Sequence, residues 1–162
     1  MSRATLTQAA PAAHLVDVRG PRFAAWLTTA VLLAVLAASA VDPAAAAVIL
    51  SAQAVVFAIG ALGGPRRHPY GLLFARWVAP RLSPVSEREP VAPLRFAQLV
   101  GLAFAVVGVA GFASGVEQVG LIATGGALAA AFLNAAFGIC LGCQIYPLVN
   151  RLRTAVGSVR NS

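Results

Sequence analysis

Lysine is absent, and charge of either sign is scarce. Charged residues make up 10% of the 162 positions, against roughly 25% in soluble domains. There are 5 acidic residues, 2 cysteines and 1 methionine. With 59% hydrophobic residues and a mean hydropathy of +0.83, this excludes intrinsic disorder. It also excludes an ordinary water-soluble globule, because a chain this short buries a limited fraction of its surface. Lipid must be part of the solvent. No carboxylate pair, nucleophile triad, phosphate loop or dinucleotide motif is present.

What is present is a set of long apolar runs. No Asp, Glu, Arg, Lys or His lies within Phe23 to Val41, Ala44 to Leu62, Phe96 to Ser114, or from Val119 to about Leu141. Each run makes a helix of about 28 Å or more, enough to cross the hydrocarbon. Helices are required because lipid cannot satisfy the backbone polar groups. Asp42-Pro43 and Gly115-Val116-Glu117-Gln118 read as tight turns. The expected fold is all-α: a polytopic membrane protein of four transmembrane helices in two hairpins, with an interfacial amphipathic helix between them. The divisions are a leader over residues 1–22, a first hairpin over 23–62 and a loop over 63–95. A second hairpin over 96–143 and a basic tail over 144–162 complete the chain. Residues 1–13 are expected to lack order.

The basic side of the balance is 12 residues, all Arg, for a net charge of +7. Arg3, Arg19 and Arg22 precede the first run. Arg66, Arg67, Arg76, Arg81, Arg88 and Arg95 lie in the central loop, and Arg151, Arg153 and Arg160 follow the fourth run. The two short turns carry only Asp42 and Glu117. Arg-rich loops stay cytoplasmic. The expectation is therefore a bacterial inner-membrane protein with both termini and the central loop inside. Anionic lipid headgroups account for the Arg without nucleic acid, for which no motif is seen. Ala38-Ser39-Ala40 resembles a signal-peptidase site, but the apolar run before it is longer than a signal peptide needs. The first span is read as retained.

Pro21-Arg22-Phe23-Ala24 and Leu94-Arg95-Phe96-Ala97 resemble each other and each opens an odd-numbered span, which suggests a tandem repeat of hairpins. Between the hairpins, Tyr70, Leu73, Phe74 and Trp77 fall on one helical face, the pattern of a short helix lying in the interface. Ser83 to Pro93 is rich in proline and reads as extended. Small residues repeat every four positions at Ala97, Gly101 and Ala105, and at Gly126, Ala130, Asn134, Gly138 and Gly142. These ladders are expected to bring spans three and four together, a homodimer face being the alternative. Gln53 and Asn134 are candidate binding residues. Each provides either an interhelical hydrogen bond or part of a polar path.

The two cysteines form Cys140-Leu141-Gly142-Cys143. On a helix these positions share a face, so the sulfurs can meet. Their place at the cytoplasmic interface argues against a permanent disulfide. The pair suits a dithiol that cycles with a disulfide, its thiolate favoured by Arg151. Cys140 and Cys143 are the candidate catalytic residues, with Cys143 expected to attack because it lies nearer Arg151. Inert packing thiols and a zinc site are the competing readings. The zinc site would draw on His14, His68 or a second copy. No cofactor and no resident metal are expected.

Several stretches carry a resemblance to a domain-of-unknown-function family of small actinobacterial membrane proteins. They are Asp17-Val18-Arg19-Gly20-Pro21-Arg22-Phe23, Leu73-Phe74-Ala75-Arg76, Ala79-Pro80-Arg81-Leu82, Leu94 to Leu102, Leu133-Asn134-Ala135 and Cys140 to Tyr146. The resemblance spans about Val16 to Arg153. It implies company with thioredoxin-like and rhodanese-like proteins, hence thiol or sulfur handling, and nominates Cys140 and Cys143. The expected function is a membrane-embedded dithiol exchanging electrons or sulfane sulfur with such a cytoplasmic partner. A scaffold or assembly factor is the alternative, and a thiolate-using permease for a metal or sulfur compound is the third reading.

Overall fold

The computed structural model describes residues 15–85 and 87–159, with side chains to residue 152. The expectation for residues 1–13 falls outside them, as do Arg3, His14 and Arg160. Four long helices are apolar enough to cross a membrane: α1 Arg19–Ser39, α2 Pro43–Gly63, α4 Val91–Ala113 and α5 Glu117–Phe137. A short helix α3, Pro69–Leu73, follows α2, and α6, Leu141–Val159, follows α5. The chain is a helical multi-pass membrane protein. Its apolar helices suit a lipid bilayer, and many of their large hydrophobic side chains face outward.

Local chemistry sets the boundaries. Asp17 accepts the backbone N–H of Arg19 and pairs with its guanidinium at 2.8 Å, which fixes the entry to α1. Asp42 caps α2 by accepting from the Ala44 N–H at 2.9 Å, with Pro43 at the first helical position. Both features match the preferences of helix starts. The first hairpin ends at Gly64 (φ +74°) and the second at Gly138 (φ +70°), conformations in which a side chain costs energy.

The helices close into a ring in which α1 packs on α2 and α5, and α4 packs on α2 and α5. Its centre is Leu32, Val35, Ala46, Leu50, Phe57, Ala105, Phe112 and Ala127. The hairpins make matching contacts. Arg22 on α1 donates to the carbonyls of Ala135 and Ala136 at the end of α5, both at 3.4 Å. Arg95 on α4 donates to Ala61 and Leu62 at the end of α2, at 2.8 and 2.9 Å. Phe23 meets Phe74 at 5.7 Å between ring centres, and Phe96 meets Tyr146 at 5.9 Å. Helix α3 lies on α1 as α6 lies on α4. The two Arg-Phe-Ala segments thus occupy equivalent places.

Several elements differ from the sequence expectation. The fourth apolar run breaks at Gly138: Gly138, Ile139 and Cys140 link the helices and Leu141 opens α6. Hydropathy does not register the break because Ile139, Cys140 and Leu141 are themselves apolar. In the ladder Ala97-Gly101-Ala105, Ala97 and Gly101 share a cavity with α5 residues Gly126, Ala130 and Asn134 rather than packing directly on them. A Cβ on Gly101 would lie 2.8 Å from the Phe57 ring on α2, and Ala97 backs onto Gly142 of α6. The close approach of α4 and α5 is at Gly111 and Gly120, where an added Cβ on Gly111 would lie 2.4 Å from the Gly120 nitrogen.

The segment between the hairpins is helical without a break from Pro69 to Arg81, but its hydrogen-bond pattern changes after α3. It passes through a π turn, Phe74–Val78, and a 3-10 turn, Ala79–Arg81. Pro80 has no N–H to continue an α-helix. The face is consequently split: Phe74 is buried, while Leu73 and Trp77 are exposed. Leu15–Asp17 (β1) and Arg88–Pro90 (β2) form an antiparallel pair, and Val91 to Pro93 already belongs to α4. Strands of three residues are too short to show an alternating pattern.

A disulfide and two adjoining cavities

Cys140 is the residue before α6, and its carbonyl accepts the N–H of Gln144 at 3.1 Å. Its Sγ accepts the N–H of Cys143 at 3.3 Å. The sulfur thereby takes the place of a capping oxygen at the positive end of the helix. The two cysteines are joined as a disulfide, with Cα atoms 5.2 Å apart. Pro147, inside α6, has no N–H to give the Cys143 carbonyl. Gly142 allows the docking of this turn: a Cβ there would lie 2.6 Å from the Ala97 Cα. Arg151 is exposed and lies two helical turns beyond Cys143, about 12 Å along the axis at ~1.5 Å per residue. The start of α6 adds the positive end of its dipole at Cys140 Sγ.

Asn134 and Cys140 line one cavity of about 300 Å³, together with Thr28, Gln98 and Gly142. The sequence reading paired Asn134 with Gln53 as the deep polar groups. The structure brings Asn134 to the cysteines and leaves Gln53 elsewhere. Gln53 is buried, and its Oε1 accepts the Tyr70 hydroxyl at 2.7 Å. The Tyr70 ring stands edge-on to His68, with centres 5.4 Å apart. His68 caps the entry to α3 by position, the place Cys140 holds before α6. It abuts Gly60 and Gln98, since a Cβ on Gly60 would lie 2.5 Å from the His68 ring and 3.0 Å from Gln98.

His68 is 3% exposed. Burial lowers the pKa of its imidazole, and the Gln98 amide opposes this only in part. Burial likewise raises the Tyr70 hydroxyl. The Gln98 amide stands close enough to His68 to act on its proton affinity, but at no proper hydrogen-bond geometry: neither His68 nitrogen, nor Gln98 Oε1, nor Gln53 Nε2 has a protein partner. His68 and Gln98 line a second cavity of about 390 Å³ with Gly20, Phe74 and Leu94. Pro21, Leu94 and Gln98 border both cavities. Sequence reasoning missed Gln98. The available signal was an amide inside an uncharged span, one turn beyond Arg95.

The family described as "Domain of unknown function (DUF4395)" matches residues 16–151. The chain belongs to that family. The match runs from β1 through the disulfide to Arg151, so it takes in both hairpins of this DUF4395 protein. No curated protein and no solved structure matches the chain. Among the described residues, no group of three or more His, Cys, Asp and Glu stands together as a metal site.

Proposed function

We propose that the protein is a membrane-embedded dithiol carrier that exchanges electrons with a cytoplasmic thioredoxin-like partner. The observation that carries this reading is the bonded Cys140–Cys143 pair at the start of α6, with Cys140 lining a cavity. A persulfide carrier needs only one thiol, so the bonded pair favours disulfide exchange over sulfur transfer from a rhodanese-like protein. The Arg distribution supports an orientation with α6 inside, in the inner membrane of a bacterium.

The role of attacking thiol passes to Cys140. A helix N-terminus stabilises a thiolate, and Cys140 Sγ holds that position, whereas Arg151 is two turns from Cys143. In the exchange, the Cys140 thiolate attacks a partner disulfide and the partner's second sulfur leaves as a thiolate. The Cys143 thiolate then attacks Cys140, forming the internal disulfide and releasing the reduced partner. The reverse sequence delivers two electrons from a reduced partner to this protein.

Single serine substitutions test the assignment. Cys143→Ser removes the resolving thiol, so a mixed disulfide through Cys140 should accumulate on non-reducing gels. Cys140→Ser should accumulate little. No adduct from either variant, together with unimpaired function of the double variant, would overturn the carrier and favour a scaffold. Metal bound to the wild type and lost from both variants would favour a thiolate metal site or permease.

A further inference from the structure

His68 and Cys140 occupy matching places in the two halves, each just ahead of the helix that follows its hairpin. Each lines a cavity, and Pro21, Leu94 and Gln98 line both. Buried polar atoms in folded proteins are nearly always hydrogen-bonded. Here both nitrogens of His68 and the Oε1 of Gln98 are buried without a protein partner, on a space of about 390 Å³. That combination calls for an occupant that supplies the missing partners.

The walls define its chemistry. Leu72, Phe74 and Leu94 give the space an apolar lining, so the occupant has an apolar body. One carboxylate, Asp17, and one guanidinium, Arg66, stand among the lining residues, and burial disfavours the His68 cation. Asp17 is already held by Arg19, so the apolar walls rather than a charge balance favour a neutral molecule over phosphate, sulfide or thiosulfate anions. A neutral imidazole offers one donor and one acceptor, and the amide oxygen offers a second acceptor. The occupant must accept one hydrogen bond and be able to donate others. The space lies at one end of the bundle of apolar helices, between the starts of α1 and α4 and the segment after α2.

We propose that the cavity bordered by His68 and Gln98 binds a lipid-soluble quinone, which takes the two electrons of the Cys140–Cys143 dithiol. The quinone carbonyl accepts from the His68 N–H, and in the reduced form a hydroxyl donates to Gln98 Oε1. The proposal rests on the dithiol reading above for its redox half, but not for its binding half. The redox step requires the ring to pass the shared wall of Pro21, Leu94 and Gln98 to reach Cys140, which lines only the cavity of about 300 Å³; there one cysteine thiolate adds to a ring carbon. The second thiolate attacks that sulfur, the S–S bond forms and the C–S bond breaks. The electron pair passes to the ring, and the two thiol protons end on the two quinol oxygens. One dithiol and one quinone become one disulfide and one quinol.

Two measurements on the full chain in phosphatidylcholine nanodiscs separate the halves. The first uses the Cys140→Ser/Cys143→Ser double variant, which cannot react, titrated with decylubiquinone. Saturable binding of one quinone per chain is expected, weakened at least tenfold by His68→Leu; decylubiquinol should bind in the same way, and its binding should be weakened at least tenfold by Gln98→Met. These substitutions remove polar atoms that have no protein hydrogen-bond partner, so thermal stability should hold or rise. A purely structural role for His68 and Gln98 predicts the opposite split: stability falls and binding is unmoved. Non-saturable uptake, or binding unchanged in both variants, overturns the proposal even if partner trapping succeeds. The second measurement mixes pre-reduced wild type with decylubiquinone. One quinol per disulfide formed is expected. Saturable binding without quinol formation overturns the redox half.

Discussion

Histidine 68 is the residue on which burial and chemistry conflict most directly. Its imidazole is walled in by Gly60, Tyr70 and Gln98, and its pKa is held below the ordinary value of 6.5 by desolvation. The sign of the resulting pH effect follows. Above about pH 6.5 the folded and unfolded chains both carry a neutral imidazole, and nothing changes with pH. Below it the unfolded chain takes up a proton that the folded chain resists, so stability falls as pH falls. Thermal unfolding in detergent from about pH 7.5 to about pH 5.5 should show this loss. In His68→Leu the part due to this residue should vanish, leaving a flatter profile. A His68→Leu profile as steep as the wild type would mean that His68 is protonated in the folded protein.

At the scale of elements, glycine separates what hydropathy reveals from what it conceals. The four spans are legible because each is a long uncharged run, and lipid tolerates few other structures. The end of α5 is not, because it is set by the Gly138 dihedral rather than by a polar residue. Nor is the direction in which a small-residue ladder faces. Spacing identifies the stripe, while the partner depends on how the hairpins close. That the sulfurs of Cys140 and Cys143 can meet was legible in their spacing; that they are joined was not, because spacing alone equally allows free thiols or metal ligands. The meeting of His68 with Gln98 was not, because tertiary packing joins residues far apart in sequence. Three alanine substitutions should rank accordingly. Gly111→Ala drives a methyl into the Gly120 backbone and should cost about 1–3 kcal/mol. Gly138→Ala has open space around it but must hold a positive φ, for about 1–2 kcal/mol. Gly125→Ala meets nothing within 4 Å in mid-helix, so it should be neutral or stabilising. Unfolding in mixed micelles gives the order. A neutral Gly111→Ala would mean that α4 and α5 do not approach there.

Across the whole molecule, the two hairpins lock each other through the same device. An arginine at the start of α1 reaches the last carbonyls of α5, and one at the start of α4 reaches the last carbonyls of α2. The last carbonyls of a helix have no intrahelical partner and carry its negative dipole end, so a cation there satisfies both needs. The matched aromatic pairs and the matched placement of α3 and α6 follow the same exchange of halves. The locks are not equal. Arg95 makes bonds of 2.8 and 2.9 Å, while Arg22 splits one nitrogen between two carbonyls at 3.4 Å. Hydrogen bonds to charged groups are worth about 1.5–3 kcal/mol at good geometry, and long ones less. Arg95→Leu should therefore lower the unfolding midpoint in mixed micelles more than Arg22→Leu. The two locks sit on different helix pairs and share no partner. The double variant should accordingly lose about the sum of the single losses, within ~0.5 kcal/mol. A double variant no worse than Arg95→Leu alone would show that the Arg22 contact holds nothing. Equal single losses would show that the unequal distances carry no energetic difference.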